Sequence, residues 1–285
     1  MLNLSHIHVF DDPAVYPIVT VVENAPPIDN YDIYVEIPAN TQSITDVTVV
    51  AQSSKNLTNL PENIWGFLVS ENLPLVLKVS RISVQLKNCG TVHASSTTAE
   101  ADSFGDALTD TGGANCKKFI NTGLIDRYAI LWGLVSLTHQ RESFKTPHLD
   151  LSHPAVTKER RSQYDNPKII FAKIAKRIEA VLDQNGEFSS ANTNFLYESK
   201  FGLHYLLAVL NSTLMSVLYS AYFGSLRMSG GHFQFQAPQL RVLPIRRIAF
   251  TTPRSERVQL VEQGKRLYQE ALERLGLNLG KGGQT

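Results

Sequence analysis

Two cysteines in 285 residues, Cys89 and Cys116, leave nothing from which to build a disulfide scaffold or a cysteine-rich zinc site. No apolar run approaches the roughly 18 residues needed to span a bilayer. Met1 to Phe10 carry two histidines and no basic cluster ahead of an apolar stretch, so no secretory signal is expected and a cytoplasmic chain is the default. Charged residues are only 19% against 43% hydrophobic, an ordinary globular balance and not a disordered one. Cations are scarce in front. Residues 1–110 hold 4 Lys/Arg and 13 Asp/Glu (−9), and residues 111–285 hold 23 and 13 (+10). Such a split predicts an acidic front and a rear that faces a polyanion; scattered solvated charge is the alternative.

The elements read as a mixture. Residues 7–23 predict two strands around a turn at Asp11-Asp12-Pro13, and 31–37 and part of 46–51 alternate as strands. Gln52 to Leu60 is loop-like, and Pro74 is expected to break the stretch 64–87 into short elements. Thr97 can cap a helix whose first turn holds Glu100. The apolar period of 168–182 fits a helix or one strand face. The hairpin-type turn Asp183-Gln184-Asn185-Gly186, followed by a segment of poor helix propensity, favours a long β-hairpin pairing 168–182 with 188–197. Residues 203–223 predict an apolar helix pair divided at Asn211-Ser212. Gly230-Gly231 predicts a turn, Phe233 to Gln236 a strand, and 254–275 an amphipathic helix with Leu260, Val261, Gly264, Leu267, Tyr268, Ala271 and Leu275 on one stripe.

Four segments carry a resemblance in this order: Phe119-Ile120-Asn121-Thr122-Gly123-Leu124-Ile125-Asp126-Arg127-Tyr128 with Trp132-Gly133; Pro167 to Phe171 with Lys176-Arg177-Ile178-Glu179-Ala180; Tyr205-Leu206-Leu207-Ala208-Val209-Leu210-Asn211-Ser212; and Phe233 to Ile245. Over about residues 88–250 the chain resembles the TaqI-like C-terminal specificity domain. That domain is the target-recognition part of type IIG restriction-modification enzymes and related adenine-specific DNA methyltransferases. Phe10 to Val19 resembles the closing strands of the methyltransferase domain that precedes it, and Gly90 to Glu100 the joining segment.

The resemblance implies an α+β fold: a mixed β-sheet target-recognition domain with a long β-hairpin, an apolar helix pair and a C-terminal helix. Residues 1–55 would be the end of a methyltransferase domain and 56–250 the specificity domain. Residues 251–275 would be the C-terminal helix and 276–285 a disordered tail. It implies two partners, duplex DNA and a methyltransferase domain or subunit, and no membrane. The catalytic signatures of such methyltransferases are missing. The only Asn-Pro is Asn166-Pro167, followed by Lys168-Ile169, where the family has an Asn-Pro-Pro-Tyr type tetrapeptide that grips a flipped adenine. Gly280-Lys281-Gly282-Gly283 has no strand before it. The chain alone is expected to be inert and to hold no cofactor, with S-adenosylmethionine in a partner methyltransferase core.

Candidate DNA contacts follow from charge and from hydrogen-bonding type. Residues 141–177 carry nine Lys/Arg and four acids, a set suited to phosphates. Arg141, Lys158, Arg160, Arg161, Lys173, Lys176 and Arg177 are the candidates there. Lys173 and Arg177 would share an outer hairpin face with Phe171, next to Asn192 and Asn194. Arg227, Gln234 and Gln236, around the glycine turn, have the paired donors and acceptors that read bases, although Phe-Gln alternation equally describes a half-exposed strand. Around Asn121 and Arg127 a fold-holding turn and a DNA contact remain open. Two rivals stand beside this reading. One is a fragment that binds only its methyltransferase partner, through the acidic front and the apolar strands at 15–22. The other is a metal-dependent nuclease using Asp183, Glu198 and Lys200. His148 and His153 near Asp150 suit a metal or simply an exposed polar loop.

Overall fold

The computed structural model describes residues 1–4, 7, 9–10, 17–26, 29–41, 43–70, 72–246 and 253–274. The expected turn at Asp11-Asp12-Pro13 and the tail at 276–285 lie outside these residues. The chain divides into two units, Met1–Ser83 with Val217–Phe233, and Val84–Ser216 with Gln234–Thr285.

The first unit holds strands β1 (Leu2–Asn3), β2 (Ile18–Val19), β3 (Asp32–Pro38) and β4 (Val47–Ser53) in the order β2-β1-β3-β4. β3 and β4 pair antiparallel from Asp32↔Ser53 to Pro38↔Val47, as their alternation predicts. Gln52 to Leu60 is not a plain loop: Ser54–Asn59 is a 3-10 turn whose Ser53 cap accepts from the Lys55 N–H. Helix α1 spans Leu73–Arg81. Pro74 lies in the first turn of this helix instead of breaking it, because the residue four positions back, Ser70, is outside the helix and a first-turn N–H has no intrahelical partner to lose. The unit's core joins Phe67, Leu73 and Val76 to Tyr222 of the returning segment; the Phe67 and Tyr222 rings meet edge-on at 4.5 Å.

The second unit is built on two four-stranded sheets. The strands of these two sheets are β5 (Thr91–Ala94), β6 (Leu108–Thr109), β7 (Cys116–Asn121), β8 (His148–Asp150), β9 (Lys168–Ala172), β10 (Ala180–Asp183), β11 (Phe188–Ala191) and β12 (Thr193–Tyr197). One sheet runs β11-β7-β8-β6, with β11 parallel to β7; the other runs β10-β9-β12-β5, antiparallel throughout. The fold is α+β as expected, but the hairpin is a different one. β9 folds back on β10, Lys168 opposite Asp183 and Phe171 opposite Ala180, so the reversal lies at 173–179. The turn at 183–187 instead sends the chain to the other sheet, where β11 joins β7. Local turn chemistry marks where a strand ends, not which strand it pairs with. Between β11 and β12 the chain changes sheets at Asn192, in left-handed backbone (φ 54°).

Every residue of β9 is buried. Ile170 and Ala172 join a cluster with Phe104, Phe119, Leu149, Tyr164, Val181 and Phe195. Ile169 and Phe171 alternate to the opposite face, where helix α4 (Leu203–Leu210) packs against β9 and β10. Helices α2 (Thr98–Asp102) and α3 (Lys158–Asp165) are capped by Thr97, as expected, and by Thr157. Helix α5 (Thr213–Phe223) follows α4 at an angle of 62°. Ser212 makes the break, its Oγ accepting from the Met215 N–H at 3.1 Å. No single helix among the described residues is long and apolar enough to cross a membrane. The strand expected over Phe233 to Gln236 stops at Gln234, and helix α6 (Ala237–Arg241) carries Pro238 in its first turn as α1 carries Pro74. Helix α7 (Arg254–Arg274) lies on α4 at Gly264, where a Cβ would stand 3.1 Å from the His204 carbonyl oxygen. Its covered side includes Gly264 and Leu272, while Leu267 of the expected stripe is exposed.

The sheet-crossing corner is held by buried hydroxyls. Thr193 Oγ1 donates to Ser95 Oγ (2.9 Å), Ser190 and Thr193 hydroxyls meet at 2.6 Å, and the Tyr164 hydroxyl bonds Ser96 Oγ (2.8 Å) and the Ser190 carbonyl (3.3 Å). Burial pushes the Tyr164 hydroxyl from the ordinary 10 up to about 12. Unfolded tyrosine therefore loses its proton first, so stability holds below pH 10 and falls as pH rises toward 12. Tyr164→Phe is expected to make that alkaline loss shallower, measured as urea midpoints from about pH 8.5 upward in steps of about 0.5.

Candidate nucleic-acid interface

The reversal between β9 and β10 is anchored from three sides. The Lys173 N–H donates to Thr122 Oγ1 (3.0 Å), Thr122 Oγ1 donates to the Asn192 carbonyl, and the Lys173 carbonyl accepts from the Phe235 N–H (2.7 Å). These bonds put Lys173 and the tip residues Lys176 and Arg177 at the same edge as Gln234 and Gln236. Lys176, Arg177 and Gln234 are exposed, Lys173 and Gln236 half-buried, and Gln236 Nε2 donates to Gln234 Oε1 at 2.6 Å. Burial, then the neighbouring Asp126, raises the Glu179 carboxyl at the base of the tip; Arg177 and Arg127 pull it back.

The remaining candidates are spread elsewhere. Arg141 sits at the tip of a two-stranded ribbon, and Lys158 is exposed on α3. Arg160 is committed to the fold: it grips both Glu100 carboxylate oxygens at 2.9 Å, the Ala94 carbonyl at 3.1 Å and Gln163 Oε1 at 2.6 Å. Arg161 reaches the His153 carbonyl at 3.5 Å. Arg227 lies over the Phe233 ring at 4.7 Å and donates to Ser220 Oγ. Phe171 and Asn194, expected beside a base-reading face, are 1% exposed because β9 and β12 are central strands covered on both faces, and Asn194 Nδ2 donates to the Phe235 carbonyl. Lys168, counted among the nine cations, is wholly buried against Asp183.

Arg127 and Asn121 hold the fold. An Arg127 Nη donates to the Asn211 carbonyl, and Asn121 Oδ1 accepts from the Gly123 N–H at 2.9 Å. The Asn211 side chain, fully buried, clamps the Ala180 peptide, accepting from its N–H (3.0 Å) and donating to its carbonyl (2.8 Å); that carbonyl also accepts from the Tyr128 N–H (3.0 Å). Three of the four segments singled out in the sequence thus meet at Ala180.

The nuclease set does not assemble. Asp183 is occupied by Lys168 and by the N–H groups of Glu187 (2.8 Å) and Phe188 (3.0 Å), whereas Glu198 accepts from Thr91 Oγ1. His148 packs on Trp132, His153 faces Asp106 at 3.3 Å, and Asp150 accepts from the Ser152 N–H. Among the described residues no three His, Cys, Asp or Glu side chains gather as a metal site.

A polar groove of about 690 Å³ went unread in the sequence. It is lined by Gly112, Lys117, Lys118, His148, Arg161 and Glu187 among others. Lys117 pairs with Asp165 (2.6 Å) and Lys118 with Glu187 (2.7 Å), and Lys118 lowers the Glu187 carboxyl. Strands β7 and β8, the turn into β11 and helix α3 supply these residues from distant parts of the chain, and no spacing announces it.

These elements define an α+β domain on two four-stranded sheets with a cationic hairpin tip. Residues 118–245 match the family model of the TaqI-like C-terminal specificity domain. A search of the curated proteins finds no match.

Proposed function

We propose that the chain is the DNA-recognition module of a restriction-modification type adenine methyltransferase. It binds duplex DNA and positions the target for a separate methyltransferase core, which would flip the adenine and carry S-adenosylmethionine. The observation that carries this reading is the match of 118–245 to the specificity-domain model, within which the reversal tip exposes Lys176 and Arg177 beside Lys173, Gln234 and Gln236. In this reading the tip cations and Lys158 meet phosphates, and Gln234 and Gln236 stand close enough to the tip to read bases. Arg160 supports the surface from within, through Glu100.

Duplex binding measured over a salt series tests it. Log affinity is expected to fall linearly with log salt, and the triple variant Lys173→Ala/Lys176→Ala/Arg177→Ala to flatten that slope by about 1 for each phosphate contact removed. Affinity indifferent to salt, or unchanged in the triple variant, would refute the phosphate contacts. The edge strand β4 favours a protein partner as well. Its residues Thr48 to Ala51 are uncharged and exposed, and an edge strand leaves backbone groups free to pair. That partner would be the methyltransferase core.

A further inference from the structure

The ribbon Leu137–His139 and Glu142–Phe144 pairs Leu137↔Phe144, Thr138↔Ser143 and His139↔Glu142, which leaves two residues for the connection, Gln140 and Arg141. Both have left-handed backbone, φ 48° and 73°. Two-residue connections of this type take Asn-Gly or Gly-Gly because a Cβ is penalised there. Nothing in the fold asks for an arginine at the second position: Arg141 is exposed, and its guanidinium has no partner among the described residues. The unfavourable backbone is imposed by the surroundings. Leu137 and Phe144 are buried in the central cluster, the His139 ring stands edge-on to Phe119 at 6.3 Å, and Gln140 Nε2 donates to the Asp102 carbonyl at 2.8 Å. Around Arg141 the ribbon exposes Thr138, Glu142 and Ser143, so its outer side carries hydrogen-bonding groups and no apolar side chain.

We propose that this ribbon is a base-reading element that enters the major groove, with Arg141 donating to the O6 and N7 atoms of a guanine. A two-stranded ribbon fits the width of that groove, Arg to guanine is the commonest specific contact, and strained backbone kept at an exposed tip marks a functional position. The proposal rests on the DNA-recognition reading above and adds to it the residue and the base.

The test selects bound duplexes from a random library with the full chain and with Arg141→Gly and Arg141→Lys, and follows thermal unfolding of each. The wild type is expected to enrich a motif containing a G·C pair. Both variants should lose preference at that one pair and keep the rest of the motif, since Lys keeps the charge without the two-pronged geometry. Arg141→Gly should also raise Tm, because glycine accepts the left-handed turn without penalty. If both variants enrich the wild-type motif unchanged, Arg141 reads no base and the inference fails while the proposed function stands. Loss at an A·T pair would equally overturn the guanine assignment. If the wild type itself enriches nothing, the proposed function falls, and this inference with it.

Discussion

A Lys168→Met variant is expected to lose about 3–5 kcal/mol of folding stability, the usual cost of removing one partner from a buried ion pair. Lys168 is 0% exposed and its ammonium meets Asp183 at 2.5 Å and the Tyr164 carbonyl at 2.7 Å. Burial pushes that ammonium below the usual lysine range even with Asp183 beside it, so the site is poorly solvated. Methionine fills a similar volume but leaves a carboxylate with no countercharge. That carboxylate cannot simply move, because it also accepts from the Glu187 and Phe188 N–H groups and so shapes the turn into β11. The turn is tight: at Gly186 (φ 64°) a Cβ would lie 2.3 Å from the Asp165 carbonyl oxygen. Adding Asp183→Asn should recover part of the loss, since the neutral amide oxygen still accepts from the turn. Urea unfolding of the single and double variants measures both. A cost near that of an exposed pair, about 0–1 kcal/mol, would show that the charge is not held as described.

Asn211→Leu is expected to cost about 2–4 kcal/mol, the sum of a buried N–H left unpaired (about 1–3) and a second bond lost (about 1). Its amide meets both groups of the Ala180 peptide, while Tyr128 shares only the carbonyl. The Ala180 N–H then has no substitute acceptor at hand. Because Ala180 opens β10 at the end of the cationic reversal, the variant should also weaken duplex binding, by loosening the Lys173–Glu179 segment. Asn211→Asp separates the two effects: it keeps the acceptor for the Ala180 N–H but not the donor. Chemical denaturation, with hydrogen exchange at the Ala180 amide, reads the outcome. Exchange at that amide as slow as in the wild type would contradict the clamp.

The sequence was legible where structure is local. Thr97 announced α2, Asn211-Ser212 the break between α4 and α5, and the alternation of 31–37 the strand β3, each through a side chain acting within a turn of its own position. Pairing was not legible. The Asp183–Gly186 turn has hairpin chemistry, yet it feeds a strand of another sheet, because β11 finds its neighbour in β7, far back in the chain. Charge misled in the same way. Lys168 and Arg160 read as surface cations in a basic run, and their acidic partners Asp183 and Glu100 lie outside that run. Asn194 looked like a base reader because a polar strand residue normally faces water, but tertiary packing placed it on a central strand with a backbone carbonyl to satisfy it. The hairpin tip was not legible either: charge alone singles out Lys176 and Arg177, inside what reads as one continuous strand, and the pairing of β9 with β10 places them at a reversal.

The first unit is assembled from both sides of the second: Phe67 and Ser80 wait for Tyr222, which follows the whole of Val84–Ser216 in the chain. During synthesis from the N-terminus, its aromatic centre therefore stays open until the polypeptide has left the ribosome beyond residue 222. A stop codon placed just ahead of α5 would release β1–β4 and α1 as a sticky, incomplete half, an outcome that a pulse-labelled truncation series would report as chaperone dependence.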